Sequence, residues 1–297
     1  MTRGQIEGDV AVIGFGVMGE ALARSLMEKR LISPESTRVS EVDPDRARLA
    51  EDLGFSIAPD SRAAARGARL ILLCVKPQVM PEVLADLAES LGDGQTVISI
   101  AAGITTELIE ESLDSPVPVV RAMPNLPSTV GEGVIALAPG RYAGSETLAL
   151  AQRVFHSSGR VFVVDESMMD AVTGFTGSGP AFISVVLEAL TDAGVRVGFS
   201  RREATAMAAQ VILGSARLIL QTGTHPAALK DQVASPGGTA IAGLHRLESS
   251  GIRAGIMDAV LAATERSAQL GQPEVKSPVA RGPLSADLAP APGKRPS

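Results

Sequence analysis

The sequence has one cysteine, Cys74, among 297 residues, so no disulfide can form within the chain and a reducing cytoplasm fits its composition. Cys74 sits inside the apolar run LILLCV, where a buried structural thiol is expected rather than a reactive one. Basic residues are scattered rather than clustered and the net charge is −6, which removes the attraction to phosphate that nonspecific nucleic-acid binding needs. The opening residues lack the basic start, apolar stretch and cleavage site of a secretory signal. The longest apolar stretches, around residues 181–190 and 205–220, are interrupted by Glu188, Gln210 and Arg217. They fall short of the roughly 20 apolar residues a membrane span requires, so no membrane partner is expected. His156, His225 and His245 lack metal-ligand spacing, and the acids form no pair suited to acid–base work, so no metal is expected. No internal repeat is present.

What the chain does have is apolar content. At 45% hydrophobic residues it can bury a sizeable core, and its length suggests two domains. From residue 9 to about 164, short β-branched runs (10–13, 38–41, 69–75, 96–100, 117–121, 134–138 and 160–164) alternate with segments of helical period (16–30, 44–53, 81–91, 106–113 and 145–158). That alternation predicts an α/β Rossmann-type N-terminal domain over 1–164, with a predominantly parallel sheet buried on both faces. Asp43 before Pro44 predicts a helix start, and Gly54 a helix stop. Beyond Asp165 the strand signal ends, and helices are expected over 167–175, 180–195, 201–222, 226–233, 239–250 and 255–270, an all-α domain covering 165–271. Small residues are dense on these helices, as close helix contact within the domain or across a dimer would require, although alanine also simply favours helix. The proline-rich residues 272–297 predict a disordered tail.

The segment VAVIGFGVMGEALARSL holds Gly14, Gly16 and Gly19 in the G-x-G-x-x-G spacing, after a strand and opening a helix. Gly14 permits the tight turn, Gly16 lets backbone amides approach a pyrophosphate, and Gly19 lets helix and strand pack closely. Unpaired N–H groups at the helix start then favour the phosphates. Glu41 ends the second predicted strand roughly 20 residues beyond the triplet, where a carboxylate accepts hydrogen bonds from the adenosine ribose. Such a carboxylate repels a 2′-phosphate, so NADH is expected to serve at least as well as NADPH unless Arg46 or Arg48 swings in.

Further motifs resemble the pyrroline-5-carboxylate reductase family over residues 9 to about 271: VIGFGVMGEAL, LLCVKP at 72–77, SIAAG at 99–103, VRAMPN at 120–125, TGSGPAF at 176–182 and HPAALKDQVASPGGTA at 225–240. Related nicotinamide enzymes share the first motif but not the pair GSGPA and SPGG. The resemblance implies a Rossmann domain followed by a helical dimerisation domain that interlocks with a second subunit, with active sites formed between the two in a homodimer or a higher oligomer of dimers. It implies hydride transfer from NADPH or NADH to C5 of 1-pyrroline-5-carboxylate, giving L-proline. Cofactor contacts then fall on Phe15, Gly16, Val17, Met18, Gly19, Ser61, Val75, Lys76, Pro77 and Ala102, and substrate contacts on Ser235, Gly237, Gly238, Thr239 and Ala240.

The residues themselves support several of these positions. Val75, Lys76 and Pro77 end a buried strand, and ligands of open α/β sheets sit beyond the C-terminal strand edges. Lys76 is also readable as a solvated strand-end lysine. Asn125, between Pro124 and Pro127, either orients the nicotinamide or forms an Asx turn. Amides at Gly237, Gly238 and Thr239 suit a carboxylate, or the segment is a helix connection with Thr239 as N-cap, and both can hold. Ser178 and Gly179, before a helix from Pro180, form a similar cap that either faces the pocket or only caps. Lys76 and Thr239 are the candidate catalytic side chains. Two departures stand out, since many family members have a second threonine where this chain has Ala240 and commonly Tyr where it has Phe182. A β-hydroxyacid-type dehydrogenase would need a proton acceptor on the helical half, for which Lys230 is the candidate lysine, and a cofactor-binding regulator without catalysis is the other alternative.

Overall fold

The structure is a computed structural model and describes residues 4–270; the expected tail at 272–297 lies outside the described residues. The first half alternates β1 (Asp9–Ile13), α1 (Val17–Glu28), β2 (Thr37–Ser40), α2 (Pro44–Asp52), β3 (Ser56–Ile57), α3 (Ser61–Ala65), β4 (Ala68–Leu73), α4 (Met80–Leu87), β5 (Thr96–Ser99), α5 (Thr106–Glu111), β6 (Val119–Met123), β7 (Gly133–Pro139), α6 (Ser145–Phe155) and β8 (Gly159–Val163). The strands form one eight-stranded sheet in the order β3-β2-β1-β4-β5-β6-β7-β8. All pairings are parallel except β6 with β7. Chain order reverses between β1 and β4, which opens a crevice at the C-terminal ends of those two strands.

Alternate residues of the strands feed two cores. Val10, Val12, Leu70 and Leu72 pack on one face with Leu22 and Leu26 of α1, and Ala11, Ile13, Ile71 and Leu73 pack on the other with Met80 and Leu84 of α4. This two-sided burial is why β1 and β4 read as unbroken apolar runs. Asp43 accepts from the Asp45 and Arg46 amides and caps α2 with Pro44 at N1, and Gly54 (φ 88°) ends it, as their side chains require. The sequence pattern passes over β3 and α3, which are too short to show a period. It also treats every strand as doubly buried, whereas β8 is an edge strand with Phe162 and Val163 about half exposed.

The second half is helical: α7 (Met169–Val172), a π turn (Thr173–Gly177), α8 (Gly179–Arg196), α9 (Arg201–Thr222), α10 (Pro226–Val233), α11 (Thr239–Ser249) and α12 (Ile252–Leu270). A capping box starts α9, with Ser200 accepting from the Glu203 amide and Glu203 accepting from the Ser200 amide. The gap expected between helices narrows to Ser178 alone. Ser178 has αR backbone and stands as N-cap of α8 directly after the π turn, but its hydroxyl donates to the Thr173 carbonyl at 3.2 Å and makes no capping hydrogen bond. Ion pairing ties the two halves, for Arg121 of β6, buried in the sheet, reaches Glu166 at 2.7 Å.

Little of this half is enclosed by its own chain. Ile183, Val185, Met207, Val211, Met257 and Leu261 are each at least half exposed, so α8, α9 and α12 present apolar surface that one copy of the chain leaves uncovered. Among the described residues, α9 is long and apolar enough by length and composition to cross a membrane, yet its Arg217 pairs with Glu132 of the loop before β7 at 3.7 Å.

Candidate functional site

The first glycine loop lies at the β1–β4 crevice. Gly14 has φ 91° and donates its N–H to the Ser40 carbonyl, and a Cβ there would stand 2.8 Å from the Cys74 carbonyl oxygen and 2.9 Å from Val75 Cγ1. The loop thus touches the turn that carries Val75, Lys76 and Pro77. Gly19 is as constrained, since its Cβ would fall 2.3 Å from the Gly14 carbonyl oxygen and 3.2 Å from Cys74 Cβ. Gly16 differs. A Cβ on it would meet nothing within 4 Å, and as N-cap of α1 it offers no side chain to the amides of Val17, Met18 and Gly19. Two glycines are therefore fixed by packing and one faces open space before a helix start, which is the arrangement a bound pyrophosphate requires.

Phe15 and Glu41 have partners that the sequence pattern does not show. The Phe15 side chain is fully buried, edge-on to Phe55 with ring centroids 5.9 Å apart, which leaves any cofactor contact at Phe15 to its backbone. Its N–H donates to Glu41 Oε2 at 2.5 Å, and Glu41 Oε1 accepts from the Val42 and Asp43 amides at 2.8 and 2.9 Å. Three acceptor positions of the carboxylate are thereby used, which leaves about one on Oε2 for a ribose hydroxyl. Beside it, Glu20 on the first turn of α1 holds Arg24 at 2.8 Å and Arg46 of α2 at 3.0 Å. The sequence pattern gave no sign of this Glu20 cluster, because Arg46 lies 26 residues away in a separate helix.

Around the crevice, Ser61 begins α3 and is buried, Lys76 is exposed, and Ala102 follows β5. Behind the loop, burial pushes the Cys74 thiol up to about 12, consistent with a structural role. Asn125 is neither a free cofactor ligand nor an Asx turn. Its Nδ2 donates to the Thr176 carbonyl at 3.0 Å and its Oδ1 accepts from the Val134 amide at 2.9 Å, so it joins the end of β6, the start of β7 and the π turn. Arg121 is a similar connector that its charge inside the apolar strand VVRAM already signals; Glu166 also accepts from Thr106 at 3.3 Å.

The second glycine loop stands between α10 and α11. Gly237 has φ 68°, and Gly238, not Thr239, is the N-cap of α11, which places Thr239 in the first turn. A Cβ on Gly238 would collide with Ser235 Oγ at 2.3 Å, so the loop folds back on itself and leaves the helix start uncapped by a side chain. Gly237 and Gly238 line a cleft with Lys230, Ile241, His245 and Glu248, all drawn from α10, α11 and their connection. Within one chain no residue of the first glycine loop lines this cleft. Lys230 pairs with Asp231 at 3.2 Å rather than standing as an isolated proton acceptor. Ala240 and Phe182 are half-buried and bring no hydroxyl.

Residues 166–270 match the model of the pyrroline-5-carboxylate reductase dimerisation family, and residues 9–103 that of the coenzyme F420-dependent NADP oxidoreductases. A pyrroline-5-carboxylate reductase of Methanosarcina acetivorans is 43% identical over 89% of this chain and 98% of its own length. That of Escherichia coli is 36% identical over 90% of this chain and 100% of its own. The structure of the Plasmodium falciparum pyrroline carboxylate reductase with NADP bound aligns with a TM-score of 0.81 at 30% identity, covering 91% of this chain and 100% of that one. The Coxiella burnetii pyrroline-5-carboxylate reductase aligns at 0.83 and 31% identity over 90% of this chain and 99% of that one. Identity of this degree over nearly the full length of each relative, on a matching fold with both glycine turns in place, means that the chain belongs to the pyrroline-5-carboxylate reductase family.

Proposed function

We propose that this chain is a pyrroline-5-carboxylate reductase, which moves hydride from NADH or NADPH to C5 of 1-pyrroline-5-carboxylate and yields L-proline. The observation that carries the reading is a pair of helix starts in a chain of this family, each opened by glycine and uncapped by a side chain, one at the sheet crevice and one on the helical half. Residues 1–164 serve as the dinucleotide-binding unit, and 165–271 as the helical unit that pairs with a second copy in a homodimer or an assembly of dimers. A bound reduced dinucleotide supplies the hydride. The amides of Val17, Met18 and Gly19 hold its phosphates, Glu41 a ribose hydroxyl, and Ser61, Val75, Lys76, Pro77 and Ala102 line its path along the strand ends. The amides of Gly237, Gly238 and Thr239, with the Thr239 hydroxyl, hold the substrate carboxylate, and Ser235 shapes that loop.

The chemistry asks little of the protein beyond position. A ring nitrogen that arrives protonated draws the C=N electron pair as hydride reaches C5, so the product amine forms with no base in the site. Holding the reacting carbons together supplies about 7–11 kcal/mol of the barrier. Ala240 and Phe182 leave Thr239 as the hydroxyl donor of the loop, and each absent hydrogen bond costs about 0.5–1.5 kcal/mol of binding. The test is oxidation of NADH and NADPH by purified protein with 1-pyrroline-5-carboxylate, read together with proline formation. Turnover with proline as product is expected; dinucleotide binding without turnover would replace the reading with a regulatory role.

A further inference from the structure

We infer that Glu20 sets the cofactor preference of this reductase by holding Arg46 away from the adenosine 2′ position, so that NADH is favoured over NADPH. The inference rests on the dinucleotide reading of the first glycine loop and deepens it. Two side chains near the end of β2 bear on a 2′ group. One is Glu41, whose carboxylate is fixed by the amides of Phe15, Val42 and Asp43 and so carries its charge at the strand end. The other is Arg46, in the first turn of α2 and five residues beyond Glu41.

Arg46 already has a partner. Its Nη1 lies 3.0 Å from Glu20 Oε2, while Glu20 Oε1 takes Arg24 Nε at 2.8 Å. Both pairs are only partly exposed, and Glu20 keeps about a fifth of its side-chain surface, so solvent screens them less than a fully exposed pair. Arg48, the other basic residue of α2, points to Asp45 at 3.9 Å and is largely exposed. A 2′-phosphate beside Glu41 therefore meets a fixed carboxylate and, in Arg46, a guanidinium whose charge Glu20 already offsets, whereas a 2′-hydroxyl finds the remaining acceptor position on Glu41 Oε2. Glu20 stands directly after Gly19 and its side chain leaves the loop toward α2, so it acts on specificity through Arg46 and not by touching the phosphates.

The test is calorimetric titration of the full chain with NADH and with NADPH in the absence of substrate, so it holds even if turnover with pyrroline-5-carboxylate fails. The wild-type chain is expected to bind NADH about tenfold more tightly than NADPH, a gap of about 1.4 kcal/mol. The near-isosteric E20Q should tighten NADPH about fivefold and leave NADH within about twofold, with a gain that fades as salt rises. Adding R46A to E20Q should abolish that gain, and E41S with E20Q should bring NADPH level with NADH or beyond. Tighter NADPH binding by the wild-type chain, an unchanged cofactor ratio in E20Q, or a gain that survives R46A would each overturn the inference. If neither dinucleotide binds, the reading beneath the inference falls instead.

Discussion

Gly16 and Gly19 are three residues apart and do opposite work. A side chain on Gly16 enters open space, whereas one on Gly19 enters the Gly14 carbonyl. The variant G16V should therefore fold with a urea midpoint close to that of the wild-type chain and lose at least about tenfold in NADH affinity, because the branched side chain stands where backbone amides must meet phosphate. G19A should behave in reverse at the level of folding, destabilised by about 1–3 kcal/mol as helix and strand are forced apart. Equal loss of stability in both would mean that the open side of Gly16 is not a ligand face. Cys74, packed behind the same loop, links folding to pH. An unfolded thiol ionises near about 8.5, but the half-buried one of the native chain is held up to about 12. Its contribution is thus complete below about pH 8.5 and is lost progressively as pH rises toward the folded value. Denaturant unfolding of wild type and C74A at about pH 7, 9 and 10.5 checks this, with the wild-type chain declining more steeply. Parallel decline would mean that the thiol is open to solvent, and so would rapid reaction of the native protein with a thiol reagent.

At the scale of elements, what the sequence discloses is what neighbours in the chain decide. The Asp43 and Pro44 start of α2 and the Gly54 stop rest on contacts within a few residues, and both stand as their residue types require. Partners distant in sequence are the ones that stay hidden. Ser178 reads as a side-chain cap, yet its hydroxyl turns back to the Thr173 carbonyl of the π turn, and Glu41 reads as a free ribose ligand until the Phe15 amide takes one of its oxygens. Asn125 reads as a local turn or a cofactor contact because neither Val134 nor Thr176 is visible from its own segment. Its amide is the join between β6, β7 and the π turn. N125A leaves the Thr176 carbonyl and the Val134 amide without partners, each costing about 1–3 kcal/mol while buried. The expected outcome is a clear fall in thermal midpoint with NADH affinity, measured on the folded protein, within about twofold. A variant of unchanged stability with lost NADH binding would return Asn125 to the cofactor.

At the scale of the whole molecule, the apolar faces of α8, α9 and α12 and the separation of the two glycine loops are one problem. A single chain leaves the helical surface uncovered and brings no residue of the first glycine loop into the cleft beside the second, and residues 166–270 match a dimerisation family. If pairing solves both, each site takes its first glycine loop from one subunit and its second from the other. Two inactive variants then become informative together. G16V lacks the dinucleotide loop, and G238V closes the substrate loop on Ser235. In a heterodimer of the two, one site inherits both lesions and the other inherits none. Random assembly makes about half the dimers mixed, each with one intact site of two, so co-expression should restore about a quarter of wild-type activity. Sites built wholly within one subunit would leave every site with a lesion, and the mixture as inactive as its parents. Separately purified variants mixed without subunit exchange supply the baseline, and size-exclusion chromatography of the co-expressed sample shows that assembly took place.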